Sequence, residues 1–191
     1  MYFLIHNVMT IKRFAKKGFY HIVRYGIGVI NYFSPKCAMK IYTKLLCFVG
    51  VKMTGKPRFI STNIRIDTFE LLSLGERVVI SEKVILLTHD YSCTTAFIAI
   101  GKIPEQDISI NRPIKIGNNV FIGMGAILMP GTTIEDNVII GAGSVVRGQI
   151  KSGSVCIGNP GKIIGNIWEY ADKCRLKIAS ESSIIGKGQK R

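Results

Sequence analysis

The chain contains 191 residues, with a hydrophobic content of 47% and a formal net charge of +14. This length suits one domain with a small appendage, and the apolar content is sufficient for a packed core. The five cysteines are odd in number and form no C-x-x-C pair. This argues against a disulfide framework or a cysteine zinc site and favours reduced thiols in the cytoplasm.

The positive charge is concentrated in the N-terminal third of the chain. Residues 1–66 contain twelve Lys/Arg and no Asp or Glu. This asymmetry indicates either a solvated basic face or a segment that meets an anionic partner, such as a membrane surface or a polyanionic glycan. Nucleic acid is not expected, because no helix-turn-helix, zinc-knuckle or aromatic ribonucleoprotein motif is present.

Two helices are predicted in the basic region 1–56. Apolar residues from 10 to 33 recur at three- and four-residue steps, the period of an amphipathic helix. Pro35 to about Val49 predicts a second helix, with Ser34 as N-cap and Gly50 as the stop. No apolar stretch near the start reaches the roughly 20 residues of a membrane span, and the order of charges is not that of a signal peptide. We expect a cytoplasmic protein whose N-terminal helix either contacts the inner face of the cytoplasmic membrane or packs within an oligomer.

A six-residue repeat follows. Its aliphatic first positions from residue 116 onward are Ile116, Ile122, Leu128, Ile134, Ile140 and Val146. Its small or β-branched fifth positions are Val120, Ala126, Thr132, Val138, Ser144 and Ile150. Leu74, Ile80 and Leu86 keep the same phase upstream. Such a period predicts a mainly β solenoid, in which short strands point their aliphatic residues at a narrow axis and turn at compact corners.

The repeat is interrupted after "VILLTHDYSC". An insertion into a solenoid must leave the coil as an external loop, here at about residues 91–112, and long ordered loops are often functional. His89 lies where this loop begins. Its role is therefore either catalytic or a hydrogen bond that holds the loop. A solenoid over residues 57–165 leaves residues 166–191 for a short helix and a basic tail.

"THDYS", "RPIKIGNNVFIGMGAILMPGTTIEDNVIIGAGSVV" and "IGNPGKII" resemble the hexapeptide-repeat acyltransferase family. The likeness is to galactoside, maltose and serine acetyltransferases and to bacterial glycan O-acetyltransferases, and it covers roughly residues 57–165. It implies a left-handed parallel β-helix, whose hand is an exception to the usual crossover rule. It also implies acetyl-CoA as acyl donor, no metal, and a homotrimer with active sites between subunits.

The resemblance also implies roles for particular residues. His89 would be the general base, because a sugar hydroxyl must lose its proton as it attacks a thioester and an imidazole suits that task. Asn63, Asp90 and Tyr91 are candidates for acceptor binding. Asp90 and His89 are neighbours on an extended chain and point opposite ways, so we expect Asp90 to hold the loop or the acceptor rather than the imidazole. Asn63 is equally well read as a turn residue.

For the donor, the resemblance implies contacts with glycine-rich turns that let coenzyme A approach the backbone closely. These are Phe121, Gly123 and Met124 in "FIGMG", and Gly141, Ala142 and Gly143 in "GAGS". Arg147 and Lys162 are the candidates for the nucleotide phosphates. The galactoside enzyme has threonine-lysine where this chain has Arg147-Gly148, so the phosphate contacts are expected to differ.

The expected function is acetyl transfer to a hydroxyl of a sugar or cell-surface glycan of the capsule or lipopolysaccharide type. Alternative acceptors are an amino-sugar nitrogen, serine or a xenobiotic hydroxyl. A zinc carbonic anhydrase on the same fold would need three histidine ligands, whereas the repeat region contains only His89. A non-catalytic scaffold would explain the repeat but not a histidine at the origin of the loop.

Overall fold

The computed structural model describes the backbone of residues 2–180 and the side chains of residues 15–180. The predicted basic tail lies outside the described residues. Helix α1 spans Tyr2–Phe33 and helix α2 spans Pro35–Val49, which confirms two N-terminal helices. Gly50 ends α2 with a φ of 121°, a conformation that glycine adopts without strain. Within residues 2–180, none of the helices is long and apolar enough to cross a bilayer.

Short strands make up most of the remaining chain. They are β1 (Lys52–Met53), β2 (Phe59–Ile60), β3 (Arg65–Ile66), β4 (Leu72–Leu74), β5 (Val79–Ile80), β6 (Ile85–Leu86), β7 (His89–Asp90), β8 (Ile110–Asn111), β9 (Ile114–Ile116), β10 (Phe121–Ile122), β11 (Ile127–Leu128), β12 (Thr133–Ile134), β13 (Ile139–Ile140), β14 (Val145–Val146), β15 (Gln149–Ile150), β16 (Ser154–Ile157) and β17 (Lys162–Asn166). A 3₁₀ turn (Phe69–Leu71) follows β3, helix α3 (Ser92–Ala99) lies between β7 and β8, and helix α4 (Ile167–Ser180) follows β17.

The strands form three main sheets, which are the faces of a prism. Face 1 has the order β1-β4-β9-β12-β15, face 2 the order β17-β16-β13-β10-β5-β2, and face 3 the order β14-β11-β6-β3. The chain visits faces 1, 2 and 3 in turn, and every neighbouring pair within a face is parallel except β16 with β17. This arrangement fits the predicted left-handed parallel β-helix.

An aliphatic column fills the centre of the prism. The six predicted first positions from Ile116 to Val146 are each at most 4% exposed, and the register places Ile122 beside Ile140 and Leu128 beside Val146. The predicted fifth positions are also buried, at most 7% exposed, and those that lie at corners are compact because a corner has no room for a larger side chain. Burial of each aliphatic side chain contributes roughly 1.5–3 kcal/mol, so the column is the main source of stability.

The last predicted unit departs from this frame. The repeat predicts a corner position for Ile150, but Ile150 pairs with Ile134 and continues the column of first positions. The turn between Val146 and Ile150 has lost two residues, and Gly148 closes it with a φ of 74°. The prediction that Ile150 lies at a corner was therefore wrong, because Ile150 occupies a first position. Its side chain is nevertheless buried.

The coil also begins earlier than the repeat indicates. Ile60 pairs with Ile80 and Ile66 with Leu86, so the segment before Leu74, where the pattern is irregular, forms a coil of its own. The first strand of face 1 starts at Lys52, upstream of the expected boundary at residue 57. Helix α2 covers this end of the prism with buried Tyr42, Leu46 and Val49. At the other end, the antiparallel strand β17 and helix α4 follow the last coil.

The insertion leaves the prism at the corner between faces 3 and 1. Leu86 pairs with Leu128, so His89 occupies the corner position that Gly131 occupies one coil later. Gly131 turns the chain into face 1 with a φ of 84°, whereas His89 does not adopt the left-handed region. The chain therefore continues outward as β7, which pairs in antiparallel fashion with the returning β8, His89 opposite Asn111. Helix α3 lies within the loop between them.

Candidate active site

His89 lies next to a buried carboxylate. The imidazole Nδ1 is 3.3 Å from Asp67 Oδ2, and the side chains of His89 and Asp67 are 38% and 5% exposed. The same Asp67 oxygen accepts the backbone N–H of Thr88 at 3.2 Å. Because Nδ1 faces Asp67, the other ring nitrogen, Nε2, is the one available to a ligand. The arrangement can hold an imidazole in one tautomer with a basic nitrogen directed away from the carboxylate.

The parallel register places Asp67 under His89. Asp67 follows strand β3, and its backbone N–H donates to the Leu86 carbonyl of the coil above at 3.3 Å. The carboxylate therefore lies below the residues that follow Leu86, where the insertion begins. A buried carboxylate without partners is unfavourable, and here the Thr88 amide and the imidazole are its neighbours. The contact thus depends on the register of two adjacent coils.

Asp90 points away from this pair. Its Oδ1 accepts the backbone N–H of Ser92 at 2.8 Å, at the first turn of helix α3. This hydrogen bond is the main reason that the pKa of the exposed Asp90 carboxyl is lowered. Asp90 therefore fixes the start of the insertion. Tyr91 lies beside His89, with ring centroids 5.3 Å apart in an edge-to-face arrangement.

A cavity of about 610 Å³ opens at His89. Its lining includes Asn63, Asp67 and His89 from the coil, so the structure brings Asn63 to the same cavity as the histidine. Helix α1 supplies the opposite wall. The residues of α1 in the lining are Lys17, Tyr20, His21 and Arg24.

Aromatic packing fixes the position of this helical wall. Tyr20 is 3% exposed, its ring lies 4.7 Å from that of Phe69, and its hydroxyl is 2.8 Å from that of Tyr42. Burial raises the pKa of Tyr42 far above its ordinary value, so the Tyr42 hydroxyl stays neutral and keeps its hydrogen bond with Tyr20. Because Phe69 belongs to the first coil, this contact fastens α1 directly to the prism beside the site.

The candidate donor-binding turns lie together at a different corner. Gly123 and Met124 connect faces 2 and 3 in one coil, and Gly141 to Gly143 make the same connection in the next. The Gly143 amide donates to the Met124 carbonyl at 2.8 Å. A Cβ on Gly123 would lie 2.5 Å from the Ala142 nitrogen, so the stacking of these turns requires glycine there. Phe121, on β10 just before them, and Met124 are 42% and 51% exposed.

The two basic candidates for the donor phosphates follow these turns in the chain, and Gly161, next to Lys162, donates its backbone N–H to the Val145 carbonyl at 2.8 Å. Arg147 follows β14 at the corner between faces 3 and 1, the corner that carries the insertion, and its charge helps to lower the pKa of Asp90. Lys162 lies on β17, opposite Ile157. None of the predicted donor residues lines the cavity at His89. Within one chain, the histidine and the glycine turns occupy the two corners that flank face 3.

Sequence reasoning missed Asp67 and the basic residues of the cavity. Asp67 lies in the irregular first coil, where the six-residue frame does not give its position. Its one signal is that it is the first acidic residue of the chain, after 66 residues without any. Lys17, Arg24 and Arg65 were recognised only as part of the basic segment 1–66, and Lys83 was not singled out. The position of Lys17 and Arg24 at the cavity was not predicted because a helix that docks on a repeat has no register in common with it.

Stacked six-residue coils and a histidine at the origin of an insertion define a hexapeptide-repeat β-helix protein. Residues 113–148 match the family described as "Bacterial transferase hexapeptide (six repeats)". Protein CapG of Staphylococcus aureus is 39% identical over 127 residues, which are 65% of this chain and 71% of that protein. The chain belongs to the hexapeptide-repeat transferase family.

Other relatives extend this comparison. A putative lipopolysaccharide biosynthesis O-acetyl transferase, WbbJ, of Escherichia coli K12 is 28% identical over 64% of this chain and 72% of its own length. Galactoside O-acetyltransferase of the same strain is 32% identical over 59% of this chain. The match spans about half of that enzyme and of a putative acetyltransferase of Schizosaccharomyces pombe, 53% and 52% respectively.

Solved structures show the same fold. The structure of a galactoside acetyltransferase in complex with coenzyme A superposes with a TM-score of 0.58 at 19% identity and covers 84% of each chain. A hexapeptide-repeat acetyltransferase from Vibrio cholerae superposes with a TM-score of 0.57 at 15% identity, over 82% of this chain and 93% of its own.

The contact between Asp67 and His89 predicts the tautomer of the imidazole. In the wild type, neutral His89 should carry its proton on Nδ1, facing the carboxylate. Asp67→Ala removes this acceptor, so the proton should no longer be held on Nδ1 and should shift to Nε2. Asp90→Asn, the matched control, keeps an acceptor for the Ser92 amide and should leave the tautomer unchanged. Long-range ¹H–¹⁵N NMR spectra of the three histidines distinguish these states, and an identical His89 pattern in wild type and Asp67→Ala would contradict the prediction.

Proposed function

We propose that the protein is an acetyl-CoA-dependent O-acetyltransferase that acts on a hydroxyl of a sugar or cell-surface glycan. The observation that carries the proposal is the pairing of His89 with buried Asp67 at 3.3 Å at the edge of a cavity. A galactoside and a lipopolysaccharide-biosynthesis O-acetyltransferase among the relatives support the reaction and the acceptor class. The left-handed coil and a cytoplasmic location belong to the same proposal.

His89 is the general base of the proposed reaction. Nε2 accepts the proton of the acceptor hydroxyl as its oxygen attacks the thioester carbonyl carbon of acetyl-CoA, forming a carbon–oxygen bond. The Asp67 carboxylate stabilises the imidazolium and holds its Nδ1–H. Asn63, which lines the same cavity as His89, and Tyr91, whose ring packs against the imidazole, position the acceptor, and Asp90 holds the insertion at its base.

The tetrahedral intermediate then collapses. Backbone N–H groups stabilise its oxyanion, the carbon–sulfur bond breaks, and the imidazolium returns its proton to the leaving thiolate. The products are the acetyl ester and coenzyme A. Atoms and charges balance without any further reactant.

A panel of acceptors tests the reaction. Release of coenzyme A from acetyl-CoA should be measured with neutral and charged monosaccharides, oligosaccharides, amino sugars, serine and a xenobiotic alcohol. Loss of a general base costs about 10²- to 10⁴-fold in rate, so His89→Ala should lower kcat by that factor while its circular dichroism spectrum is unchanged. Equal rates for both proteins would remove His89 from the mechanism. An amino sugar as the preferred acceptor would replace O-acetylation by N-acetylation, and no turnover at all would favour a scaffold.

The donor site lies between subunits in our proposal. The glycine turns and His89 occupy opposite corners of face 3, so one chain does not bring them together, and a homotrimer would join the turns of one chain to the histidine of its neighbour. Coenzyme A would lie along Phe121 and the turns at Gly123, Met124, Gly141, Ala142 and Gly143, with Arg147 and Lys162 near its phosphates.

Mixed trimers test this geometry. Ala142→Trp blocks the turn, His89→Ala removes the base, and each homotrimer should be inactive. Unfolded and refolded together, they should recover about a quarter of the sites, because a site needs the base from one chain and the turn from the next. Ala179→Trp, an exposed alanine on helix α4, is the control and should keep full activity. No recovery from a mixture shown to contain both chains in each trimer would place the site within one chain.

We further propose that helix α1 contacts an anionic membrane surface. Tyr20 and Ile27 bury one side of α1 against the protein, while large apolar residues on the other side remain exposed, at 48% or more: Phe19, Ile22, Tyr25, Val29, Tyr32 and Phe33. Lysines and arginines of the acid-free segment lie on the same helix. Exposed apolar area flanked by basic residues is typical of helices that lie in a membrane interface.

Vesicle binding tests the membrane contact. Wild-type protein should sediment with vesicles that contain phosphatidylglycerol and far less with pure phosphatidylcholine. Replacing exposed Ile22 and Val29 by Glu should reduce sedimentation about tenfold or more, because two apolar side chains are lost and two anions introduced. If the variant still forms trimers and sediments with the vesicles as the wild type does, the apolar side of α1 does not contact lipid.

A further inference from the structure

The cavity beside His89 carries an unbalanced positive charge. Its lining contains two lysines and two arginines, and Asp67 is the single acidic residue in that lining. Lys17 and Arg24 belong to helix α1, Arg65 to strand β3, and Lys83 to the turn between β5 and β6. Since Asp67 already faces His89 and Thr88, it does not neutralise the other side of the cavity.

The four cations have no acidic partners within the described part of the chain. The ion pairs among residues 15–180 join other residues: Asp67 with His89, Glu135 with Lys151, and Asp172 with Arg175. The Arg24 guanidinium lies 3.5 Å from the Ile64 carbonyl and over the faces of the Tyr20 and Tyr25 rings. Like charges held around one cavity repel each other, and an anion bound between them relieves that repulsion.

The geometry points to an acceptor that bears an anionic oxygen group, a phosphate or a carboxylate, close to the hydroxyl that becomes acetylated. The cations would hold this group between α1 and the coil, while the hydroxyl reaches Nε2 of His89. Both a sugar phosphate and a uronic acid have the required chemistry. The inference rests on the proposed function, because it assigns the substrate class of that same site.

The cations face the acceptor side rather than the donor side. They share a cavity with His89 and Asn63, whereas the glycine turns proposed for the donor lie at another corner. Arg147 and Lys162, the basic residues proposed for the donor phosphates, are outside the lining. Two of the cations lie on α1, which is fastened to the first coil by Tyr20 and Phe69, so the anion site is built mostly from the part of the chain that precedes the regular repeat.

A charge-matched pair of variants tests the inference. Lys17→Gln with Lys83→Gln removes two exposed ammonium groups of the cavity that form no ion pair with residues 15–180. Lys16→Gln with Lys115→Gln removes two exposed lysines outside the lining, one of them adjacent on α1. The paired probes are methyl glucuronide against methyl glucoside, and glucose 6-phosphate against glucose, each with acetyl-CoA.

The wild type should acetylate the charged member of a pair with a higher kcat/KM. The cavity variant should lower that value by about two- to twentyfold, because an exposed ion pair contributes up to about fivefold in binding and two are removed. The neutral probe, the KM for acetyl-CoA and the matched control should be unchanged, and added salt should reduce the preference. Equal kcat/KM for charged and neutral probes, an equal loss in the matched control, or a rise only in the KM for acetyl-CoA would overturn the inference.

Equilibrium binding separates this inference from the reaction. If no sugar is acetylated, the proposed function fails, and saturation-transfer NMR of the same probes then decides the charge preference. Binding of the glucuronide or phosphate that is lost in the cavity variant, but kept in the matched control, would still establish the anion site. No preference for the charged probes in binding would reject it.

Discussion

The central constraint on this molecule is the close packing of one aliphatic side chain per strand along the axis of the prism. In strands of two residues, only one side chain can point inward. The register therefore requires Ile122 to lie beside Ile140 and Leu128 beside Val146. A shift by one residue would exchange the buried and exposed sets. Every functional element is therefore forced to the corners, to insertions or to the helices at the ends.

The candidate site arises where this constraint is interrupted. The corner that Gly131 closes in one coil is left open at His89 in the coil below, and the chain leaves the prism there. The register that aligns the core also sets Asp67 beneath the imidazole. The packing of the aliphatic column, which stabilises the fold, thus also fixes the distance between the Asp67 and His89 side chains.

The six-residue spacing was enough to predict the prism, the burial of its first and fifth positions and the departure of the insertion at His89. The three- and four-residue spacing of apolar residues and the Pro and Gly signals predicted the two N-terminal helices, so each of these features follows from local sequence. Ile150 was placed in the wrong column because a turn shortened by two residues around Gly148 has no signature in the spacing. Asp67 was missed because the first coil carries extra residues around Phe69, so its alignment with Leu86 depends on tertiary contacts. The cavity was missed for a similar reason, since Tyr20 and Phe69 meet across the junction between a helix and a solenoid.

Helix α1 contributes a wall to the cavity without taking part in the six-residue pattern. Its side chains do not follow the six-residue spacing that every coil follows. A change at Lys17 or Arg24 therefore does not disturb the aliphatic column. The six-repeat family model, in contrast, matches residues 113–148, which lie wholly in the coils. The coils thus fix Asp67 and His89 relative to each other, whereas α1 adds cavity side chains whose positions depend on how this one helix packs against the first coil.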